Sequence, residues 1–243
     1  MSRTRRKKRK GRVRPLRLLL VVFVLTGLLA GALWLLYQTL DEKTVIELDA
    51  GHDQTQPGYV SDTLREADLD MEIVLGVRDK FAENSDYVIQ LTHDELTDMN
   101  MTSRLEKIDK DNPDLTISIH TYEDPYLRKT GILIVVPPSG SRKSISAAEK
   151  ICASLQEAGR GCEVVRMAYE AGREGRSTVR YLTLEEDYPS GAESREIFSV
   201  DSAVMEIQLL NMNDTGDAEQ WTDPAFKASV IDAIAKGILS IAE

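Results

Sequence analysis

Apolar positions along the chain fall into short continuous runs separated by longer stretches in which they recur every three or four residues. VIEL (45–48), YVIQL (87–91), LTISIH (115–120), GILIVV (131–136) and AVMEIQL (203–209) are runs of strand length rich in β-branched residues, and they predict buried strands. Helices are predicted near 65–83, near 101–110, from about Ser144 to Ala158, and from about Pro224 to the end, where the proline suits a first helical turn. Ile73, Val77 and Phe81, with Val74 beside them, form one apolar stripe, and Asp70, Glu72, Arg78 and Lys80 fill the polar positions between. Phe226, Val230, Ile234 and Ile238 repeat the stripe in the last helix. Both stripes read as core. Strands alternating with helices predict an α/β fold with a mostly parallel or mixed central sheet covered by helices on both faces.

One stretch breaks this pattern. Residues 18–37 carry no charge and are apolar almost throughout, and roughly 20 such residues span a bilayer as a helix. The first 17 residues hold ten Lys and Arg and no acid, a cluster that stays on the cytoplasmic side of a span. The sequence therefore predicts a cytoplasmic tail at 1–17, a transmembrane anchor at 18–40 with Trp34 and Tyr37 at its outer interface, and one extracytoplasmic domain at 41–243. A cleaved signal peptide is the rival reading, through the small residues Ala30, Gly31 and Ala32, but LWLLY continues apolar beyond that point. A nuclear-localisation reading of RRKKRK explains less than its place beside the span.

The charge balance changes the picture further. The whole chain has 30 Lys and Arg against 40 Asp and Glu, a net charge of −10. With the tail set aside, 20 bases face 40 acids, which excludes nucleic-acid binding by a broad basic surface. With 42% hydrophobic residues the remainder is long enough and apolar enough to bury a core.

Candidate chemistry gathers at strand ends. His52 follows the first strand in VIELDAGH and His120 ends LTISIH, and in open α/β sheets the carboxyl edge is where ligands bind. Two imidazoles there are a start on a zinc site, which wants a third protein ligand. Glu66, in the first turn of the following helix, is the nearest carboxylate able to return over that edge. Glu206 stands in an apolar strand, where an acid needs either a catalytic purpose or an arginine partner. Taken singly each residue has a plain structural reading; their conjunction on four separate elements carries the weight.

The runs VIELDAGH, EADL, QLTHDE, NPDLTISIH and AVMEIQLL, in this order and with a closing amphipathic helix, resemble the zinc-dependent N-acetylmuramoyl-L-alanine amidases of the amidase-3 type. The resemblance covers about residues 44–243. It implies one zinc ion held by His52, Glu66 and His120, Glu206 as the catalytic glutamate, and hydrolysis of the amide between N-acetylmuramic acid and L-alanine in peptidoglycan. Peptidoglycan and the membrane are then the expected partners, with a protein activator left open. A non-catalytic peptidoglycan- or partner-binding member of the fold, and a zinc peptidase acting on the stem peptide, are the alternatives.

The chain departs from the family pattern around the site. Ala50-Gly51-His52-Asp53-Gln54 stands where the family commonly has Pro-Gly-His-Gly-Gly, making a stiffer and more acidic loop. His93 replaces a usual arginine and is expected to be a surface or outer residue rather than a ligand. Gln208 and Leu209 follow Glu206 in place of Gly-Phe, with Asn211 and Asn213 beyond. These changes fall on the substrate-facing wall more than on the metal ligands. Asp49 reads either as the acceptor that orients His52 or as a strand end. Cys152 and Cys162 are open between bridged and free. The segment 185–200 reads as a solvated loop or a lid, and REGRSTVR (173–180) as a solvated face or an anion-holding one.

Overall fold

The structure is a computed structural model and describes residues 15–40, 43–126, 128–171 and 177–242. The chain divides into a unit ending at Glu42 and a compact unit from Lys43 to Glu243. In the first, Pro15–Leu40 forms a single helix, α1, of 26 residues. Side chains are described over residues 19–35 and all are exposed, including Phe23 and Trp34. Among the described residues no helix is long and apolar enough to cross a membrane. The membrane-spanning reading of 18–40 thus rests on the sequence. Most of the basic tail and the Tyr37 side chain lie outside the described residues.

The second unit is built on one seven-stranded sheet. Its elements in chain order are β1 (Thr44–Ala50), α2 (Glu66–Lys80), β2 (Tyr87–Leu91), α3 (Met101–Asp111), β3 (Leu115–Tyr122), β4 (Ile132–Val135), α4 (Arg142–Glu157), β5 (Cys162–Ala171), β6 (Ser177–Leu182), β7 (Ala203–Asn211), α5 (Thr215–Gln220) and α6 (Pro224–Leu239). The strand order is β2-β1-β3-β7-β4-β5-β6. Strands β2, β1, β3 and β7 run parallel, β7 meets β4 antiparallel, and β5 and β6 close the far edge as an antiparallel pair. The sheet is therefore mixed.

Alternation along the strands separates the two faces. Ile46, Leu48, Ile117, Ile119, Met205, Ile207 and Leu209 join the residues of α2, α4 and α6 in the main core. Gly237 lets α6 approach α4: a Cβ on it would lie 2.6 Å from the Ile151 Cα. The opposite residues, among them Asp49, Ser118, His120, Glu206 and Gln208, face the side of α3, where Ile108 packs with Ile197, Val200 and Val204. Both predicted stripes lie in the core, but Asp70 does not belong to a polar face. It is fully buried, and neither carboxyl oxygen has a hydrogen-bond partner among the described residues.

The β5–β6 pair was not predicted: the second half of REGRSTVR is β6, in which Thr178 and Arg180 are exposed, while residues 172–176 lie outside the described residues. The signal was a period-2 pattern, since Val165, Met167 and Tyr169 pack with Val179 and Tyr181 on one face of the pair. Cys152 of α4 and Cys162 of β5 are joined by a disulfide with a Cα–Cα separation of 5.5 Å.

Candidate metal centre

Strand β1 ends at Ala50, and Gly51 donates its N–H to Ile119 O at 2.8 Å, still joined to β3. The backbone then turns sharply at His52, whose φ of 62° is left-handed, a conformation that costs a non-glycine residue roughly 1–2 kcal/mol. Asp53 holds the turn by accepting from Thr55 N, Thr55 Oγ1 and Gln56 N at 2.7–2.8 Å. Asp53 thus supplies a local side-chain turn. The loop returns through Gly58 (φ +68°), where a Cβ would lie 2.3 Å from Glu66 Oε2. Arg65 ties the loop to α2 by donating Nη2–H to Gln54 O at 2.9 Å and pairing with Asp68 at 3.1 Å.

This path sets Glu66, the first residue of α2, beside both histidines. His52 Nε2 lies 3.3 Å and His120 Nδ1 3.6 Å from Glu66 Oε1. The three residues offer donor atoms all within 4.8 Å of one another. Glu66 is fixed by two backbone N–H groups, Tyr59 to Oε2 and Thr121 to Oε1, each at 2.9 Å. Burial acts to raise its pKa, but His120, His52 and the Tyr59 N–H outweigh burial and hold the carboxyl far below its ordinary range. Both ring nitrogens of His120 are buried without a hydrogen-bond partner among the described residues, a costly arrangement unless another group satisfies them. Two imidazoles and an ionised carboxylate match the N and O donors of a divalent zinc site with room for a non-protein ligand. The residues present fit the metal that the sequence implies.

Glu206 stands one strand away. Its register partner on β3 is Ser118, two residues before His120 on the same face. It is 1% exposed, and both oxygens are engaged: Oε1 by Gln208 Nε2 at 2.7 Å and Oε2 by Arg195 Nε at 2.9 Å. Burial works against its charge; Arg195, His120 and the two hydrogen bonds outweigh it, so the carboxyl is held below its ordinary range. Of the two roles the sequence offered Glu206, the structure shows the arginine partner, Arg195.

A cavity of about 790 Å³ is lined by His52, Glu66, His120, Arg195 and Gln208, among others. His93 is outside the cluster: it is buried, its Nδ1 lies 3.0 Å from Thr92 Oγ1, and burial lowers its pKa. Asp49 requires a correction. None of its described hydrogen bonds reaches His52. It accepts from Thr92 Oγ1 and Ser118 Oγ, each at 2.7 Å, and from Arg104 Nη1 at 3.0 and 3.1 Å. The sequence left its partner Arg104 unnoticed, as it did Arg195 and Tyr169, since long-range pairing leaves no local signature.

The N-acetylmuramoyl-L-alanine amidase family model Amidase_3 matches residues 46–240. No curated protein matches the sequence. Among solved structures, the chain is similar to the catalytic domain of the N-acetylmuramoyl-L-alanine amidase CwlV from Bacillus (Paenibacillus) polymyxa var. colistinus, with 18% identity, 81% of this chain and 97% of that one covered, and a TM-score of 0.62. It is similar to an N-acetylmuramoyl-L-alanine amidase from Clostridium difficile 630 at 15% identity, 82% and 96% coverage and a TM-score of 0.64. It is also similar to the CwlD amidase from Clostridioides difficile, solved in complex with the GerS lipoprotein, at 18% identity, 82% and 98% coverage and a TM-score of 0.61. At these identities the likeness establishes the fold, and the match over nearly all of the second unit establishes the family. The chain belongs to the N-acetylmuramoyl-L-alanine amidase family.

Proposed function

We propose that the protein is a zinc-dependent hydrolase that cleaves the amide between N-acetylmuramic acid and L-alanine in peptidoglycan, working on the outer face of the membrane to which its N-terminal helix tethers it. The observation that carries the reading is the cluster of His52, Glu66 and His120 donors within 4.8 Å in a chain of this family. A zinc ion held by the three residues would polarise the scissile carbonyl and acidify the attacking water. Glu66, kept ionised by its two backbone donors and the neighbouring imidazoles, supplies the negative charge a dication needs. Glu206, also kept ionised, accepts the proton of the water and delivers it to the departing amine of L-alanine.

The membrane reading rests on the uncharged run 18–37 and the ten basic residues before it. The Cys152–Cys162 disulfide agrees with it, since such bonds persist in oxidising compartments outside the cytosol. A protein partner fits as well, because the similar CwlD amidase is held in complex with the GerS lipoprotein.

Mass spectrometry of peptidoglycan digested by the zinc-loaded full chain, beside Glu206→Gln, tests the reading. Intact stem peptides bearing a free L-alanine amine, lost in the variant, are expected. Cleavage inside the stem peptide would replace the amidase by a peptidase, and no product with zinc bound would point to a binding protein or to one that requires its partner.

A further inference from the structure

The two donors on Glu206 come from different parts of the chain. Gln208 lies two residues along β7, but Arg195 belongs to the connection between β6 and β7. That connection is docked. Tyr169 and Glu193 exchange backbone hydrogen bonds at 2.9 and 3.0 Å, and the Tyr188 hydroxyl shares its one proton between Glu193 O at 2.8 Å and Met167 O at 3.0 Å. The segment 185–200, which the sequence offers as a solvated loop or a lid, is largely exposed and also carries Arg195 to the buried Glu206.

Arg195 is shared. Its Nε donates to Glu206 Oε2 at 2.9 Å and its Nη1 to the Tyr169 hydroxyl at 3.1 Å. It borders both the cavity that contains the metal-ligating residues and an adjoining one lined by Tyr169, Glu193 and Glu206. A guanidinium presents its donors in a rigid planar fork, whereas an ammonium is a point charge on a flexible stem. One edge of the fork is held by Tyr169, so the other meets the carboxylate in one orientation, and Gln208 fixes the second oxygen.

We propose that Arg195, held by Tyr169, is a positioning residue that fixes the plane of the Glu206 carboxylate, so that the segment before β7 completes the general base. The inference rests on the proposed hydrolysis and on Glu206 as its base. It differs from simple neutralisation of a buried charge, which a lysine would also achieve. A base displaced by about 1 Å costs roughly a hundredfold in rate, so the fork geometry has a kinetic consequence that charge alone lacks.

The test compares zinc-loaded full-length Arg195→Lys, Arg195→Met and Tyr169→Phe with wild type, and uses the exposed Arg180→Met as a control. The expected result is a kcat about a hundredfold lower for both Arg195 variants, with KM and bound zinc unchanged, and partial recovery of Arg195→Met by added guanidinium ion. Tyr169→Phe should lose less, and Arg180→Met nothing. Crystal structures of metal-free wild type and Arg195→Met form a second arm, in which the Glu206 carboxylate should turn from its wild-type plane. Full activity of Arg195→Lys, or a carboxylate that keeps its plane in Arg195→Met, would overturn the proposal. If wild type cleaves nothing, the amidase reading fails by itself, and the crystallographic arm still decides whether Arg195 positions Glu206. Should Arg195→Met fail to fold, Arg195→Lys carries both arms.

Discussion

His52 Nε2 lies 3.3 Å from Glu66 Oε1, and the loop between the two residues exists to bring them there. The left-handed His52, the positive φ of Gly58 and the side-chain turn at Asp53 bend the chain from the end of β1 back to the start of α2. The three candidate ligands are thus brought together by backbone geometry.

That grouping predicts one equivalent of zinc per chain. Glu66→Gln keeps the size of the side chain and removes the charge, so affinity should fall beyond the roughly 10–100-fold that outer partners of metal ligands contribute. Because the ion binds only the folded site, saturating zinc at about 1,000 times its Kd should add about 4 kcal/mol to wild-type stability, and a chelator should remove it. Elemental analysis and melts with and without chelator check both statements; equal zinc content and equal melting shifts in the variant would dismiss Glu66 as a ligand.

Arg104 and Asp49 form a buried pair at 3.0 Å, with side chains 6% and 0% exposed. Removing one partner strands the other charge, so Arg104→Met should cost about 3–5 kcal/mol. Asp49→Asn combined with Arg104→Met should cost less than the sum of the single changes. Urea denaturation of the three variants measures this, and strict additivity would mean the pair is not coupled.

Asp70 gives a pH dependence of known sign. Burial first, then the charges of Glu66, Glu206 and Asp49, push its carboxyl well above the ordinary range against the opposing charge of Arg104. The folded protein keeps a proton that the unfolded chain releases above about pH 4. This contribution to stability is complete below that pH and is lost as pH rises toward the folded pKa. Asp70→Asn abolishes it, so the metal-free variant should melt above wild type at neutral pH, with the difference shrinking in acid. A difference in Tm that stays constant with pH would refute the assignment.

The disulfide closes a short segment, with ten residues of sequence separation between Cys152 and Cys162. Chain-entropy reasoning gives such a bridge about 3 kcal/mol. Reduction, or Cys152→Ala with Cys162→Ala, should lower stability by about that amount while zinc binding persists. Denaturant titration with and without reductant measures the loss.

How much of this was legible without the fold varies by residue. The apolar runs that became β1, β2, β3, β4 and β7, and the stripes of α2 and α6, were readable because burial on a strand or helix imposes a local period. The grouping of His52, Glu66 and His120 was readable because each sits at or near the end of such an element on one edge of the sheet. Three-dimensional order decided the remainder. Only insertion of β7 between β3 and β4 puts Glu206 beside Ser118 and in reach of Arg195. Only packing gives Asp49 to Arg104 rather than His52, and buries Asp70 among carboxylates when its helix position reads as polar. Periodicity tells which face of an element is buried, but the partner across that face is set by strand order and long-range packing, which no local window of sequence contains.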